Sequence, residues 1–303
     1  MSSSSVSEIA KRATEFIQAQ INFDKFDSTQ MEALQPYLQQ YLKQEYESIP
    51  EKERIGKGMV YIAKIVAKLL YNYLKTEVFK IVGKTLVTES FTQPILGFIE
   101  EIGKNEELIV LAIHLLANLA SDSFESTIEQ IKYWATYETW AIRENAIYPI
   151  LSGLKSQKER TLQLLREWAQ DPNENIRRLV AESLRPKTEI KWLRDPTKNQ
   201  TVLDILTILN HDPSIYVRKS VGNNLKDLTK YMPEKSLDLV ETWLAVKDQL
   251  DAKGQKNLIW TIYHALKWLK AKKPEYHDRI KTIVGENYLL YFDEKKNRAA
   301  TPK

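Results

Sequence analysis

Two carboxylates set among cations are the groups in this sequence best placed to do chemistry. They belong to a pattern that occurs three times: a short turn, Ile or Val followed by Arg, then an apolar stretch. The copies are Trp140-Ala-Ile142-Arg143-Glu144, Asp171-Pro172-Asn-Glu-Asn-Ile176-Arg177 and Asp212-Pro213-Ser-Ile-Tyr-Val217-Arg218. With Arg143, Arg177 and Arg218 superposed, the next column reads Glu144, Arg178, Lys219. Further columns read Tyr148, Glu182, Asn223 and Leu151, Arg185, Lys226. Steps of four and three hold each set on one helix face. Glu144 and Glu182 then lie among Arg178, Arg185, Lys219 and Lys226, with Trp140 one turn ahead of Glu144. Helical geometry puts Glu144 about 60° from Ile147, at the apolar edge of its helix, where a carboxylate is partly desolvated. Such a group can steady a positive centre or act on water. The plainer alternative is structural. Arg178 and Glu182 make an i,i+4 ion pair, worth ~0.3–0.5 kcal/mol on an exposed helix, and Trp140 packs one repeat on the next.

The elements that must position these groups are helical repeats. The three arginines are 34 and 41 residues apart, and Leu225 and Leu266 repeat the 41-residue step. That period, with two helices per unit, predicts an all-α, HEAT-like solenoid, curved, with equivalent faces lined up on a concave side. Leu237 to Leu244 and Lys256 to Lys267 supply a fourth unit. Residues 124–282 are the repeats, 1–123 an N-terminal helical part of the same body, and 283–303 a terminal segment. Within it, Thr282 to Phe292 reads equally as helix or strand. Only 9 Gly and 11 Pro in 303 residues favour long helices over a loop-rich β protein.

Charge is uneven along the chain. Residues 1–142 hold 14 Lys/Arg against 19 Asp/Glu, residues 143–230 hold 16 against 11, and residues 231–303 hold 14 against 10. Basicity begins where the repeats begin, as a polyanion-binding surface requires. With no Cys, disulfides, thiolate nucleophiles and Cys-based zinc sites are excluded, and a reducing, cytoplasmic setting is expected. Met1-Ser-Ser-Ser-Ser lacks the basic and apolar runs of a signal peptide. Lys64 and Lys68 interrupt the apolar run Met59 to Leu74, so that run is a core helix rather than a membrane span. Thr29 and Glu32 have capping-box spacing and mark a helix start; Pro36 bends that helix or begins the next. Gly83-Lys84-Thr85 has the end of a P-loop, but Val78 stands where the upstream glycine is needed, which excludes a nucleotide cofactor there. His114 is expected to be a hydrogen-bonded core histidine, since the histidines show no metal spacing. No metal and no cofactor are expected.

Three segments carry a family resemblance. Arg177-Arg-Leu-Val-Ala-Glu-Ser-Leu-Arg-Pro186, Asp212-Pro-Ser-Ile-Tyr-Val-Arg-Lys-Ser-Val-Gly-Asn-Asn-Leu-Lys-Asp227 and Trp260-Thr-Ile-Tyr-His-Ala-Leu-Lys267 resemble the AlkC branch of the HEAT-like DNA glycosylases, the AlkC/AlkD superfamily. The likeness spans residues 124–270. It implies excision of cationic N-alkylated bases, such as N3-methyladenine, from duplex DNA, by a metal-free monomer associated with the nucleoid when bound. It implies catalytic roles for Glu144 and Glu182, active-site support from Trp192 and Asp227, and phosphate contacts from Arg178 and Lys219; the aligned columns add Trp140 and Tyr148 as active-site support and Arg143, Arg185, Asn223 and Lys226 as DNA contacts. The sequence departs from the family pattern at Ser183 and Gly222, where Gly and Ala are usual. It also has a longer, more polar stretch from Arg185 to Trp192 and Lys226 ahead of Asp227. Two other readings compete: a non-catalytic HEAT-like protein that binds distorted or branched DNA, and a scaffold for protein partners.

Overall fold

A computed structural model describes residues 6–20, 28–55, 58–82, 88–186 and 188–286. Among these residues every regular element is helical, which agrees with the all-α expectation. No described helix is long and apolar enough to cross a membrane. The chain forms two compact units that divide at Gln157/Lys158, so the 123/124 boundary read from sequence lies inside the first. The P-loop remnant at 83–85, most of 282–292 and the C-terminal tail lie outside the described residues.

The first unit contains α1 (Val6–Gln20), α2 (Ser28–Ser48), α3 (Met59–Val82), α4 (Thr88–Gly103), α5 (Ile109–Asp122), α6 (Ile128–Ala135), α7 (Trp140–Asn145) and α8 (Ile147–Ser156). Helix α2 starts one residue before Thr29 and runs unbroken through Pro36. Helix α5 is apolar on nearly all sides. Such a helix must be wrapped by others, and it packs against α3, α4 and α8.

The first repeat copy is not one helix. It breaks at Ala146 into α7 and α8. Pro149 explains the break, because it has no N–H for the Asn145 carbonyl and its ring crowds that group. Glu144 and Tyr148 therefore stand on different helices, and the single face expected for this copy does not form.

The second unit contains α9 (Lys158–Trp168), α10 (Glu174–Ser183), α11 (Gln200–Leu209), α12 (Ile215–Leu228), α13 (Pro233–Ala245), α14 (Ala252–Lys272) and α15 (His277–Val284). Here the repeat is regular. Helices α9 and α10, α11 and α12, and α13 and α14 pack as pairs, and α10, α12 and α14 form a row. The apolar stripes Ile176/Leu179/Val180, Val217/Val221/Leu225 and Leu258/Ile262/Leu266 are buried. Each such side chain contributes roughly 1.5–3 kcal/mol. Gly285, with φ 54, follows α15, and a positive φ of this kind is open to glycine because it has no Cβ.

The turns show why the pattern repeats. Asp171 and Asp212 each accept the N–H two residues on, at 2.9 and 2.8 Å. Asn173 and Ser214 then cap α10 and α12. The shared arginine clamps the turn behind it. Nη1 of Arg143 donates to the carbonyls of Tyr137 and Glu138, at 2.7 and 2.6 Å. Arg177 does the same to Asp171 and Pro172, at 2.8 and 3.0 Å, and Arg218 to Asp212 and Pro213, at 2.5 and 2.9 Å. Carbonyls between helices have no helical donor, and a planar guanidinium satisfies two at once. Arg177 also grips Asp212 with Nε and Nη2, at 2.6 and 3.0 Å, which joins α10 to the turn before α12.

Candidate active site

In the first unit, Trp140 opens α7 and is 58% exposed, although large aromatic side chains are normally covered. Glu144 follows one turn later and is half-buried, with Oε1 out of contact with solvent. Arg143, between them in sequence, has Nη1 engaged by the turn clamp. Tyr148 packs on His114 of α5, ring centroids 4.4 Å apart. His114 is a core residue, 2% exposed, but its Nε2 has no hydrogen-bond partner among the described residues, contrary to expectation. Burial, and then the charge of Lys64, push its pKa down to about 4, so the ring is neutral.

In the second unit the row α10, α12, α14 carries three rungs 41 residues apart: Arg178/Glu182/Arg185, Lys219/Asn223/Lys226 and Trp260/His264/Lys267. The first rung is tied to the second by charge. Arg185 donates from Nε and Nη2 to Asp227 Oδ2, at 3.2 and 2.6 Å, and from Nη1 to Glu182 Oε2 at 3.1 Å. Asp227 is fully buried and also holds Lys230 at 2.8 Å. Burial disfavours the charge on Arg185, but the bond to Asp227 and the proximity of Glu182 outweigh it and raise its pKa. The expected Arg178–Glu182 pair is present but long, at 3.8 Å, and the Arg178 guanidinium lies 4.3 Å over the Tyr216 ring. Glu182 is thus held by a chain, Asp227 to Arg185 to Glu182. Arg185, expected as a DNA contact, is engaged by two carboxylates.

The second and third rungs meet through neutral groups. Asn223 Oδ1 lies 2.6 Å from Lys226 Nζ and 3.1 Å from His264 Nε2. Since Lys226 can only donate, the atom it meets is the amide oxygen, and His264 must carry its proton on Nε2. His264 stacks on Trp260, centroids 5.2 Å apart and planes within 11°. Arg218 lies 5.6 Å over the other partner of that stack, Trp260. Gly222 allows the histidine in. A Cβ there would meet His264 Cδ2 at 2.7 Å, so a larger residue at 222 would displace the ring.

Trp192 sits apart from these rungs in contact terms. It lies on the 3-10 turn Lys191–Arg194, half-buried, with Lys158 Nζ 4.5 Å over its ring. The sequence reading assigned no role to His264 or Trp260. Their i,i+4 spacing and the 41-residue step were the available signals.

A family described as "DNA alkylation repair enzyme" matches residues 75–269. This chain belongs to that family. Every candidate site residue, from Trp140 to Asp227, lies inside the matched segment. The uncharacterized protein YhaZ of Bacillus subtilis (strain 168) is 34% identical over 151 residues, which are 48% of this chain and 38% of YhaZ. The chain therefore spans well under half the length of that relative. The structure of Pseudomonas fluorescens alkylpurine DNA glycosylase AlkC, bound to DNA containing an abasic site analog, has a similar fold, with TM-score 0.52 and 22% identity. The likeness covers 93% of this chain and 66% of AlkC. The likeness in fold thus extends to N-terminal helices that precede the family-matched segment.

Proposed function

We propose that this member of the family is a DNA N-glycosylase that removes cationic N-alkylated bases, such as N3-methyladenine, from duplex DNA. A base alkylated on a ring nitrogen already carries the positive charge that makes it a good leaving group. The C1′–N bond breaks, its electron pair neutralises the base, and positive charge develops on the sugar. Water then adds at C1′ and gives up a proton, which leaves an abasic site. Glu144 and Glu182 are the carboxylates assigned to this chemistry. Each can stabilise the sugar cation or orient and deprotonate the water. Trp140, exposed on α7, offers an aromatic face of the kind that stabilises a cation. Lys219, Asn223, Lys226 and Arg178 hold the phosphate backbone, which positions the duplex without reading its sequence.

The observation that carries this reading is the Asp227–Arg185–Glu182 chain within a DNA alkylation repair family. Asp227 is buried and cannot reach DNA; it acts as a positioning residue that fixes Arg185, which in turn fixes the Glu182 carboxylate. The deciding experiment measures base release from methylated duplex DNA. Glu144→Gln and Glu182→Gln are each expected to abolish release with DNA affinity nearly intact. Unchanged release by either variant removes that residue from the chemistry.

One observation favours the rival, a non-catalytic DNA-binding protein: Glu182 is already paired with Arg185. That reading predicts salt-sensitive binding with no base release from any alkylated duplex.

A further inference from the structure

The second and third rungs, on α12 and α14, meet side by side. Lys219, Asn223 and Lys226 on α12 face Trp260, His264 and Lys267 on α14, both sets at i, i+4, i+7 spacing. Lys219 and Lys267 are exposed and have no carboxylate partner among the described residues. His264 adds no charge: burial first, then Lys267, Lys226 and Lys219, push its pKa down to about 4. With its oxygen held by Lys226 and His264, the Asn223 amide turns its two N–H bonds the other way, and they meet no described residue. Ammonium groups and amide donors that converge without an acceptor are the complement of a phosphate oxyanion.

We propose that Asn223, Lys219 and Lys267 seat one backbone phosphodiester of DNA, and that His264, packed on Trp260 and admitted by Gly222, is the positioning residue that orients the Asn223 amide. This inference rests on the reading that the chain acts on DNA, and it adds His264 and Lys267 to that surface. DNA rather than free phosphate is indicated by the DNA alkylation repair family match, whose segment, residues 75–269, contains all three residues.

The experiment is binding of an undamaged duplex by fluorescence anisotropy across a chloride series. Lys219→Ala and Lys267→Ala are each expected to lower the slope of log K against log salt by about 0.9. His264→Phe keeps an aromatic on Trp260 but has no donor for Asn223. It is expected to weaken binding about tenfold, the size of one charge-assisted hydrogen bond, with the slope unchanged because no charge is lost. His264→Gln, which restores an N–H, is expected to recover most of that loss. Wild-type slopes in both lysine variants, or wild-type affinity in His264→Phe, would overturn the proposal. Inorganic phosphate, exchanged for chloride at equal ionic strength, is expected to compete no better than chloride. Stronger competition that disappears in Lys267→Ala would assign the site to free phosphate and overturn the DNA assignment. Base release measured alongside separates the two claims. Altered slopes without any release leave the seat standing and sink the glycosylase; release with unaltered slopes does the reverse.

Discussion

The two ends of the α10–α12–α14 row use positive charge in opposite ways. At the α10 end, Arg185 is closed in by Asp227 and Glu182, and Lys230 by Asp227. At the α14 end, Lys219 and Lys267 surround a neutral histidine and an amide. A cation matched by a buried carboxylate orients its partner and offers little charge to a ligand. A cation left beside neutral groups keeps its full attraction for a polyanion. The same repeat position thus carries a carboxylate-bound arginine on one rung and an exposed lysine two rungs on.

The largest test strikes the matched end. Asp227→Ala removes a fully buried carboxylate and leaves Arg185 with one partner; breaking such a pair costs ~3–5 kcal/mol. Urea unfolding should show a loss of that size, together with a fall in base release. A loss near zero would mean that Asp227 does not hold Arg185.

Acid tests the neutral histidines. A folded pKa of about 4 against an ordinary 6.5 means that the unfolded chain binds the proton first. Their contribution is complete above pH 6.5 and is lost as pH falls toward 4. For His114 the gap corresponds to about 3 kcal/mol; the less buried His264 acts in the same direction by less. His114→Phe should therefore flatten stability between pH 4 and 6.5, read by thermal melts across that range, and His264→Gln should flatten it less. Parallel wild-type and variant curves would mean that these rings are charged in the fold.

Gly222→Ala is next in size. The added methyl meets His264 at 2.7 Å, and overpacking of this kind costs roughly 1–3 kcal/mol. The displaced ring should also release Asn223, so duplex affinity should fall as in His264→Phe. Unchanged affinity with reduced stability would show that the histidine packs but does not position. The smallest effect is on the fold of Lys267→Ala. This side chain is exposed, and its removal should leave stability within about 0.5 kcal/mol while the salt slope moves. A larger loss of stability would show that Lys267 holds the helix row together.

Several of these features could be read from the chain before its folding was known. The regular rungs of the second unit follow from the 41-residue step, and the Ile/Val-Arg pattern does mark each repeat. Its arginine was legible as a recurrence but not as a clamp, because the carbonyls it binds are identified only by the turn's geometry. The break at Ala146 was written in Pro149 and is lost when columns are aligned on arginine alone. The Arg185–Asp227 contact spans 42 residues and leaves no local trace. The i,i+4 spacing of Trp260 and His264 shows that they share a face, but not that Asn223 lies opposite.

Sequence by itself determined the helices, their period and which side chains share a rung, because a helix sets those relations through bonds within a few residues. Only the tertiary structure decided which cations are neutralised and which remain open. That depends on contacts of a few ångströms between segments distant in the chain, where a carboxylate or an amide at the facing position makes the difference.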